Sequence, residues 1–218
     1  FADMSYMDRV QKLNDNVWMV PGLFSHDECD QIVRIIESFD DSDWFAGRVG
    51  RQGVPIVDTA ARFNFDLERH LYEPAGLGWT RDRILSLLHD IDEDMRIFED
   101  VKGEPSFWTI CRNDPGCFFR WHDDMDFEGL RTAIVLVYLS DQETHSLKGG
   151  ETSFGLDHGA RLTVTPQRGN AIIFNPRMRH KGHTVREGQK YVMLYAIQRV
   201  SPPQLSEENA QEGQSEQP

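Results

Sequence analysis

Cysteine is scarce in this sequence. The 218 residues include three cysteines, Cys29, Cys111 and Cys117, and no C-x-x-C pair. An odd count this low argues against a disulfide framework and against a zinc site built from cysteines. It indicates a reducing compartment, and we predict the cytoplasm as the location of the protein.

Positive charge and long hydrophobic runs are also in short supply. The chain has 23 Lys and Arg against 36 Asp and Glu, a formal net charge of −13. That balance disfavours nucleic-acid backbones and anionic membranes as partners. The uninterrupted apolar run at residues 133–139, which no other run exceeds, has the length of a strand and not of a membrane span. We expect a small-molecule or peptide substrate as the partner, with no nucleic acid and no membrane, and the sequence does not indicate an oligomeric state.

The N-terminal part of the chain, residues 1–104, has mostly helical patterns. Residues 25–28 read Ser-His-Asp-Glu, a capping box, and the apolar spacing behind them predicts a helix to about Phe39. A second helix is predicted from Thr80 as its N-cap. The buried face of that helix is marked by Ile84, Leu87, Leu88, Ile91 and Met95. Between the two helices, residues 47–66 are richer in glycine and predict loops with short strands.

Residues 105–200 have a different pattern, in which strand-like runs alternate with turn signals at short intervals. The predicted strands are 107–111, 132–139, 161–165, 171–174 and 191–200. Regular short strands with no helical pattern between them predict a sandwich, jelly roll or barrel. The segment 201–218 holds four Glu, no Lys or Arg and no aromatic residue, which predicts an acidic disordered tail.

A histidine and an aspartate two positions apart are the first candidates for chemistry. His122 and Asp124 project to the same face if the strand continues through them, so they can hold adjacent positions around one metal ion. A third ligand must come from a neighbouring strand, and His180 and His183 are the candidates. Two histidines and one carboxylate with open positions form the ligand set of non-haem Fe(II) oxygenases. The tripeptide alone is weakly specific, because a strand-end histidine bonded to a nearby aspartate has the same sequence.

The motifs around this tripeptide resemble a known family. The segments RNDPGCFFRWHDD, YLS, GGETSF, PQRGNAIIF and HKGHTVREGQK follow one another over about residues 105–200. In that order and spacing they resemble the 2-oxoglutarate- and Fe(II)-dependent dioxygenases, specifically the prolyl 4-hydroxylase-like branch. The resemblance implies an α+β, mainly β fold, a double-stranded β-helix (jelly roll) with N-terminal helices packed on one sheet. Residues 1–200 would then form a single domain, with 1–104 as support and 105–200 as the catalytic core.

The resemblance also decides between the two late histidines. The family's second histidine ligand is followed ten positions later by a basic residue, which matches His180 and Lys190 and not His183. In this interpretation His122, Asp124 and His180 bind Fe(II). Lys190 pairs with the far carboxylate of 2-oxoglutarate, because an unpaired buried carboxylate is costly.

Three more positions match the family's 2-oxoglutarate pocket. Tyr138 and Thr152 would line the carboxylate site, each with a hydroxyl to offer, although ordinary sheet packing is the alternative for both. Asn113 stands where the family often has a tyrosine that reaches toward the cosubstrate. Asp124 is present where halogenating relatives have Gly or Ala, so C–H hydroxylation is favoured over halogenation.

The resemblance implies an oxidoreductase that uses Fe(II), 2-oxoglutarate and O₂, with ascorbate as a reasonable additive. It would hydroxylate an unactivated C–H bond of a prolyl-type peptide residue or a related amino-acid substrate, releasing succinate and CO₂. The alternative is an oxygenase of a small biosynthetic metabolite, acting by hydroxylation, desaturation or ring formation. A non-catalytic metal-binding jelly roll is the weakest of the three.

Substrate-binding residues are poorly specified by the sequence. Arg120, Arg131 and Arg179 lie near the predicted ligands and are weak candidates for binding an anionic substrate group. Trp121 flanks the first ligand and should point to the opposite face, where we predict that it packs in the core.

Overall fold

Strands dominate the part of the chain that the computed structural model describes, which is residues 8–51, 54–60, 62–67, 69–95, 104–125 and 131–198. The strands are β1 (Gln11–Asn14), β2 (Val17–Val20), β3 (Trp44–Ala46), β4 (Arg48–Arg51), β5 (Val54–Val57), β6 (Arg62–Phe63), β7 (Phe65–Leu67), β8 (Glu104–Asn113), β9 (Phe118–His122), β10 (Arg131–Tyr138), β11 (Lys148–Gly149), β12 (Thr152–Gly155), β13 (Arg161–Val164), β14 (Ala171–Phe174), β15 (His180–Gly182), β16 (Val185–Glu187) and β17 (Lys190–Gln198). The helices are α1 (His26–Ile36), α2 (Arg69–Tyr72), α3 (Gly78–Met95) and α4 (Gln142–His145).

Two antiparallel sheets face each other and form the predicted jelly roll. The large sheet has eight strands in the order β1-β2-β14-β10-β17-β8-β7-β3, and the small sheet has five in the order β13-β12-β15-β9-β6. The cluster between them joins Phe154 of the small sheet to Tyr138, Phe174 and Val192 of the large one. The fold class expected from the sequence is therefore confirmed.

The opposite face of the large sheet is covered by helices, as predicted. Successive residues of β17 alternate between the two layers. Met193 and Tyr195 pack with Ile32 of α1 and Ile84 of α3, whereas Val192 points between the sheets. Burial on both faces explains why β10 and β17 read as nearly continuous apolar runs.

Helix α1 begins as its sequence predicts. Ser25 Oγ accepts a hydrogen bond from the Glu28 N–H at 3.2 Å, and the Glu28 carboxylate accepts one from the Ser25 N–H at 2.8 Å. The helix ends at Ile36 and not near Phe39, because the Ser38 N–H turns back to the Ile35 carbonyl. That i→i−3 bond is the tight turn with which many helices finish.

Helix α3 begins before the predicted cap. The chain is already helical at Gly78, so Thr80 lies inside the helix and is not its N-cap. Its hydroxyl donates to the Leu77 carbonyl at 2.7 Å and accepts from Tyr195 at 2.7 Å. The sequence around Thr80 does not contain the contact to Tyr195, which arises only in the tertiary structure. The predicted buried positions 84, 87, 88 and 91 are buried, and the side chain of Met95 lies outside the described ones.

The N-terminal region is less helical than the sequence predicted. The β1–β2 hairpin pairs with β14 at one edge of the large sheet, and β7 and β3 extend the other edge. These strands are only three or four residues long, which is too short for a clear alternation signal. The glycine-rich stretch does hold the short strands β4 to β6 that we predicted.

Several further expectations can be placed. All three cysteines are buried, and none of them is joined to another in a disulfide, in line with the low count. Strand 171–174 has the predicted bounds, and the other four predicted strands are displaced at one or both ends by one to three residues where their ends are described. The acidic tail 201–218 lies outside the described residues. Within the described part of the chain, no helix has the length and apolarity that crossing a membrane requires.

Candidate active site

The small sheet and the turn that follows β9 bring His122, Asp124 and His180 together. His122 ends β9, His180 begins β15, and the two are direct cross-strand partners. Asp124 lies beyond the end of β9, so its position depends on a turn in which its N–H donates to the Pro176 carbonyl at 2.9 Å. The candidate ligand atoms of the three residues all lie within 4.8 Å of one another. His183 is not part of this group in the described structure.

Backbone carbonyls fix how the two histidines present their rings. Nδ1 of His122 lies 2.7 Å from the Arg120 carbonyl, and Nδ1 of His180 lies 2.9 Å from the Met178 carbonyl. A carbonyl oxygen only accepts, so each Nδ1 carries the hydrogen and each neutral ring leaves a lone pair on Nε2. Burial lowers the pKa of His180, which keeps its ring neutral. This is the state in which a histidine binds a metal.

The carboxylate of Asp124 faces those two lone pairs. Its Oδ1 lies 3.6 Å from Nε2 of His122, and its Oδ2 lies 3.5 Å from Nε2 of His180. Oδ2 is buried and has no hydrogen-bond partner among the residues that the structure describes. A buried carboxylate oxygen without a donor is costly, and here all the convergent atoms are acceptors. The arrangement fits a cation, and two imidazoles with one carboxylate fit Fe(II).

Apolar rings and one arginine hold the group in place. Phe154 and Phe174 lie 5.9 Å and 4.8 Å from the His180 ring, centroid to centroid. Arg131 donates to the main-chain carbonyl of Asp124 at 2.7 Å. His122 is the open side of the group, since 36% of its side chain is exposed against 6% for His180. A ligand that reaches this centre therefore approaches past His122.

Lys190 lies in a buried pocket on the inner side of the large sheet. It is 6% exposed, its ammonium donates to the Gly150 carbonyl at 2.6 Å, and it lies 5.4 Å from the centre of the Tyr138 ring. Burial lowers the pKa of Lys190 to about 8. Among the described residues its ammonium has no carboxylate in an ion pair, so a bound anion would restore favourable electrostatics.

Tyr138, Thr152 and Asn113 lie around the same pocket. The Tyr138 hydroxyl donates to Thr152 Oγ1 at 2.7 Å, and both side chains are buried. Burial raises the pKa of Tyr138, so its hydroxyl stays a donor. Asn113 is the cross-strand partner of Lys190, and its amide donates to the Lys190 carbonyl at 3.3 Å. The Asn113 amide is therefore already bonded to the backbone of β17.

Strand β12 connects the pocket to the three candidate ligands. Thr152 touches Tyr138, and two residues later on the same face Phe154 packs on His180. Two residues of a strand span roughly 6.5–7 Å.

Gly150 is a site residue that sequence reasoning identified only as a turn. Its φ is +71°, a conformation that favours glycine, and an added Cβ would lie 3.0 Å from Cδ of Lys190. Gly150 therefore lets the backbone approach the lysine closely, whereas Gly149 lies against the backbone of Thr184. The two adjacent glycines were visible in the sequence, but only the fold shows that Gly150 lies against the side chain of Lys190.

The remaining candidates divide between the site and the surface. Arg131 reaches Asp124 as described, whereas Arg120 and Arg179 are exposed. The prediction that Trp121 packs in the core is wrong. Trp121 does point away from the candidate ligands. That face of the small sheet lies at the protein surface, however, where the guanidinium of Arg161 lies over the indole at 5.5 Å. No second layer covers the small sheet there among the described residues.

A groove runs beside the candidate ligands, and we call it the β9–β15 groove. Residues 118–121 and 181–184 line it, and its volume is about 540 Å³, within the range of ligand sites. Phe119, one of its lining residues, lies 5.7 Å from the ring of His122. The groove is thus adjacent to the open side of the candidate site.

One family model matches part of the chain, and several solved structures share its fold. Residues 108–198 match the model of a family described as the 2OG-Fe(II) oxygenase superfamily. No curated protein sequence is similar enough to the chain to count as a match.

Solved structures share the fold at low sequence identity. A prolyl-4-hydroxylase from Pseudomonas putida is 14% identical, with a TM-score of 0.67 over 85% of this chain and 93% of that one. A prolyl hydroxylase from Trichoplax adhaerens, solved with a peptide of hypoxia inducible factor, is 12% identical, with a TM-score of 0.66 over 85% and 84%. The viral collagen prolyl hydroxylase of Paramecium Bursaria Chlorella virus-1, solved with 2-oxoglutarate, is 20% identical, with a TM-score of 0.54 over 85% and 96%.

Proposed function

Because residues 108–198 match the model of the 2OG-Fe(II) oxygenase superfamily, we propose that the chain hydroxylates an unactivated C–H bond of a prolyl-type residue in a peptide or of a related amino-acid substrate. The superfamily uses Fe(II), 2-oxoglutarate and O₂, and turnover releases succinate and CO₂. Fe(II) supplies the oxygen activation when it is bound. The chain itself supplies the ligands, the anion pocket and the exclusion of water.

The orphaned Oδ2 of Asp124 is the observation that carries this proposal. Buried between two Nε2 lone pairs, it finds no donor in the described structure, and a cation in this position satisfies all three side chains. We assign His122, Asp124 and His180 as the Fe(II) ligands. The carbonyls of Arg120 and Met178 accept the Nδ1 hydrogens of the two rings, which leaves both Nε2 atoms available to the metal.

We assign Lys190 as the partner of the distal carboxylate of 2-oxoglutarate. Its buried ammonium and the neighbouring hydroxyls of Tyr138 and Thr152 offer a charge and donors to one anion. Asn113 is the weakest member of this set, because its amide is already bonded to the backbone. Anchoring the far end of the cosubstrate fixes the orientation of its other end at the metal.

A peptide substrate is favoured over a small metabolite by the shape of the neighbouring surface. The β9–β15 groove is open and reaches Phe119 beside His122, which suits an extended chain. Arg131 can orient a substrate near Asp124, whereas the exposed Arg120 and Arg179 remain weaker candidates. The competing activity is hydroxylation, desaturation or ring formation of a free metabolite. Succinate release measured on prolyl peptides and on free amino acids distinguishes the two.

We further propose that residues 1–200 work as one catalytic domain. The N-terminal strands β1 and β2 pair with β14, and α1 and α3 share a core with β17. Three buried cysteines that form no disulfide with one another are compatible with a reducing compartment, and we keep the cytoplasm as the proposed location.

The proposal is tested by adding Fe(II) and 2-oxoglutarate to the metal-free protein without oxygen and recording the visible spectrum. We expect a metal-to-ligand charge-transfer band that is lost in His180→Ala and weakened in Lys190→Ala. His183→Ala is the matched control and should keep the band. With oxygen, succinate release is then measured on prolyl peptides and on free amino acids. Metal binding without the band in the wild-type protein would refute the oxygenase assignment and favour a non-catalytic metal-binding jelly roll.

A further inference from the structure

The small sheet of this acidic protein carries only positive charge. Its five strands contain four charged residues, Arg62, Arg120, Arg161 and Lys181, and no Asp or Glu. The whole chain has 36 acidic residues and a net charge of −13. A sheet without a single acidic residue in such a chain is a local electrostatic feature that solubility does not require.

Two of these basic residues, Lys181 and Arg161, cluster on the outer face of the sheet. His180 points inward, so Lys181 points outward. Nζ of Lys181 and Cζ of Arg161 lie 5.6 Å and 5.5 Å from the Trp121 ring centre. The exposed Arg120 precedes this tryptophan in β9. Cation–π contacts hold Lys181 and Arg161 over the indole, so less freedom is lost when they bind an anion.

Two of the cations, Arg120 and Lys181, border the β9–β15 groove. Arg120, Trp121 and Lys181 line it, and none of its lining residues is acidic. Two acids of the described structure lie near the groove: Glu151, whose carboxylate faces Arg186 at 4.0 Å, and Asp123, which is exposed directly after the end of β9. The charge of Lys181 also reaches His183: burial first and then that charge lower the pKa of His183, while the charge of Glu151 opposes them.

We propose that the β9–β15 groove docks an acidic stretch of the substrate polypeptide. Its carboxylates would pair with Arg120, Arg161 and Lys181, while the chain lies across Trp121. Phe119 joins the groove to the ring of His122, so a segment held here delivers its neighbouring residues to the open side of the site. The docking surface stands on its own observations, and naming the docked chain as substrate rests on the proposed function.

Docking is measured by fluorescence anisotropy on the full chain, without metal and at low salt. The probe is a labelled 12-residue peptide of Glu, Gly and Ser, and its counterpart has Gln in place of every Glu. We expect the acidic peptide to bind at least tenfold more tightly than its counterpart and to weaken as salt is added. Equal binding of the two peptides, or binding of neither, would overturn the proposal.

Charge-reversal variants locate the surface. Lys181→Glu and Arg161→Glu should each weaken binding of the acidic peptide at least tenfold, with melting temperatures close to that of the wild type. Arg34→Glu makes the same change of net charge on the exposed side of α1 and should leave the affinity within twofold. An equal loss in Arg34→Glu would mean that net charge alone attracts the peptide.

Turnover separates this proposal from the proposed function. Prolyl peptides with an acidic flank should show a KM at least fivefold lower than those with a neutral flank, at similar kcat. Lys181→Glu should remove that difference. Charge-dependent binding without turnover of any prolyl peptide would overturn the hydroxylase proposal and leave the docking surface, whereas turnover that ignores the flank would overturn the docking of substrate.

Discussion

Replacing Lys190 with methionine should make the ligand-free protein more stable and at the same time impair its binding of 2-oxoglutarate. Lys190 is 6% exposed, and burial lowers its pKa from 10.5 to about 8. Each pKa unit corresponds to about 1.4 kcal/mol, so keeping the ammonium charged at neutral pH costs the folded state about 3 kcal/mol. Methionine has a similar length and carries no charge.

The net gain is smaller than this cost, because the variant also loses a contact. The Lys190 ammonium donates to the Gly150 carbonyl, and such a bond contributes about 1 kcal/mol. A net stabilisation of about 2 kcal/mol remains. In a domain of this size that raises the melting temperature by roughly 4–8 °C.

The pH dependence follows from the direction of the pKa shift. Below pH 8 the lysine is protonated in both the folded and the unfolded chain, and the folded state carries the full cost. Between pH 8 and pH 10.5, the two pKa values of Lys190, the folded chain loses its proton first, so wild-type stability rises with pH through this group. The advantage of the methionine variant should therefore be largest below pH 8 and disappear by about pH 10.5.

Binding of 2-oxoglutarate should show the opposite effect. At neutral pH Lys190 is charged and can pair with the distal carboxylate, so the methionine variant should lose at least 3 kcal/mol of binding, about a hundredfold. Above pH 8, wild-type affinity should fall by up to tenfold per pH unit, because binding then requires uptake of a proton. Anaerobic titration of the charge-transfer band measures both effects.

A ligand control completes the test. 2-Oxobutyrate has the same chelating end and no distal carboxylate, so its affinity should not depend on Lys190 or on pH between 7 and 9. The reasoning would be refuted if Lys190→Met melted below the wild type at pH 7. It would also be refuted if the variant bound 2-oxoglutarate as tightly as the wild-type protein does.

Three further changes have defined outcomes. Asp124→Asn replaces a buried carboxylate oxygen that has no donor among the described residues with an amide that can donate to an imidazole. The metal affinity should fall at least a hundredfold, while the melting temperature of the metal-free protein should rise. Titration and scanning calorimetry measure both quantities, and an unchanged metal affinity would contradict the assignment. Gly150→Ala places a Cβ 3.0 Å from Lys190 at a φ of +71°, so 2-oxoglutarate affinity should drop at least tenfold; Gly116→Ala, with φ +95° and nothing within 4 Å, should cost about 1 kcal/mol of stability without changing that affinity. Ser25→Ala removes one half of the capping box and should lower the free energy of unfolding by about 1 kcal/mol in urea denaturation, with no change in turnover.

Some elements were predictable because their information is local. The capping box and apolar spacing predicted α1, and the run 171–174 between two turns predicted β14 with its observed bounds. The start of α3 was not predictable in this way. The Thr80 hydroxyl resembles a cap in the sequence, but it accepts a bond from Tyr195, more than a hundred residues away.

Burial of aromatic residues was another limit of the local pattern. Alternation correctly indicated that Trp121 points away from His122. It did not reveal that the small sheet has no helical layer on that side among the described residues, so the predicted core contact was wrong. Whether a sheet face is core or surface depends on which elements return to cover it.

The sequence by itself determined which groups this protein can offer to a metal and an anion: His122, Asp124, His180 and Lys190, in an order and spacing that resemble one family. Only the tertiary structure decided their chemical state. The pairing of β9 with β15 sets both Nε2 lone pairs against a carboxylate that has no donor, and packing around Lys190 removes the water that would hold its pKa at the ordinary value. Desolvation and hydrogen bonding depend on neighbours from distant strands, and a linear pattern does not contain them.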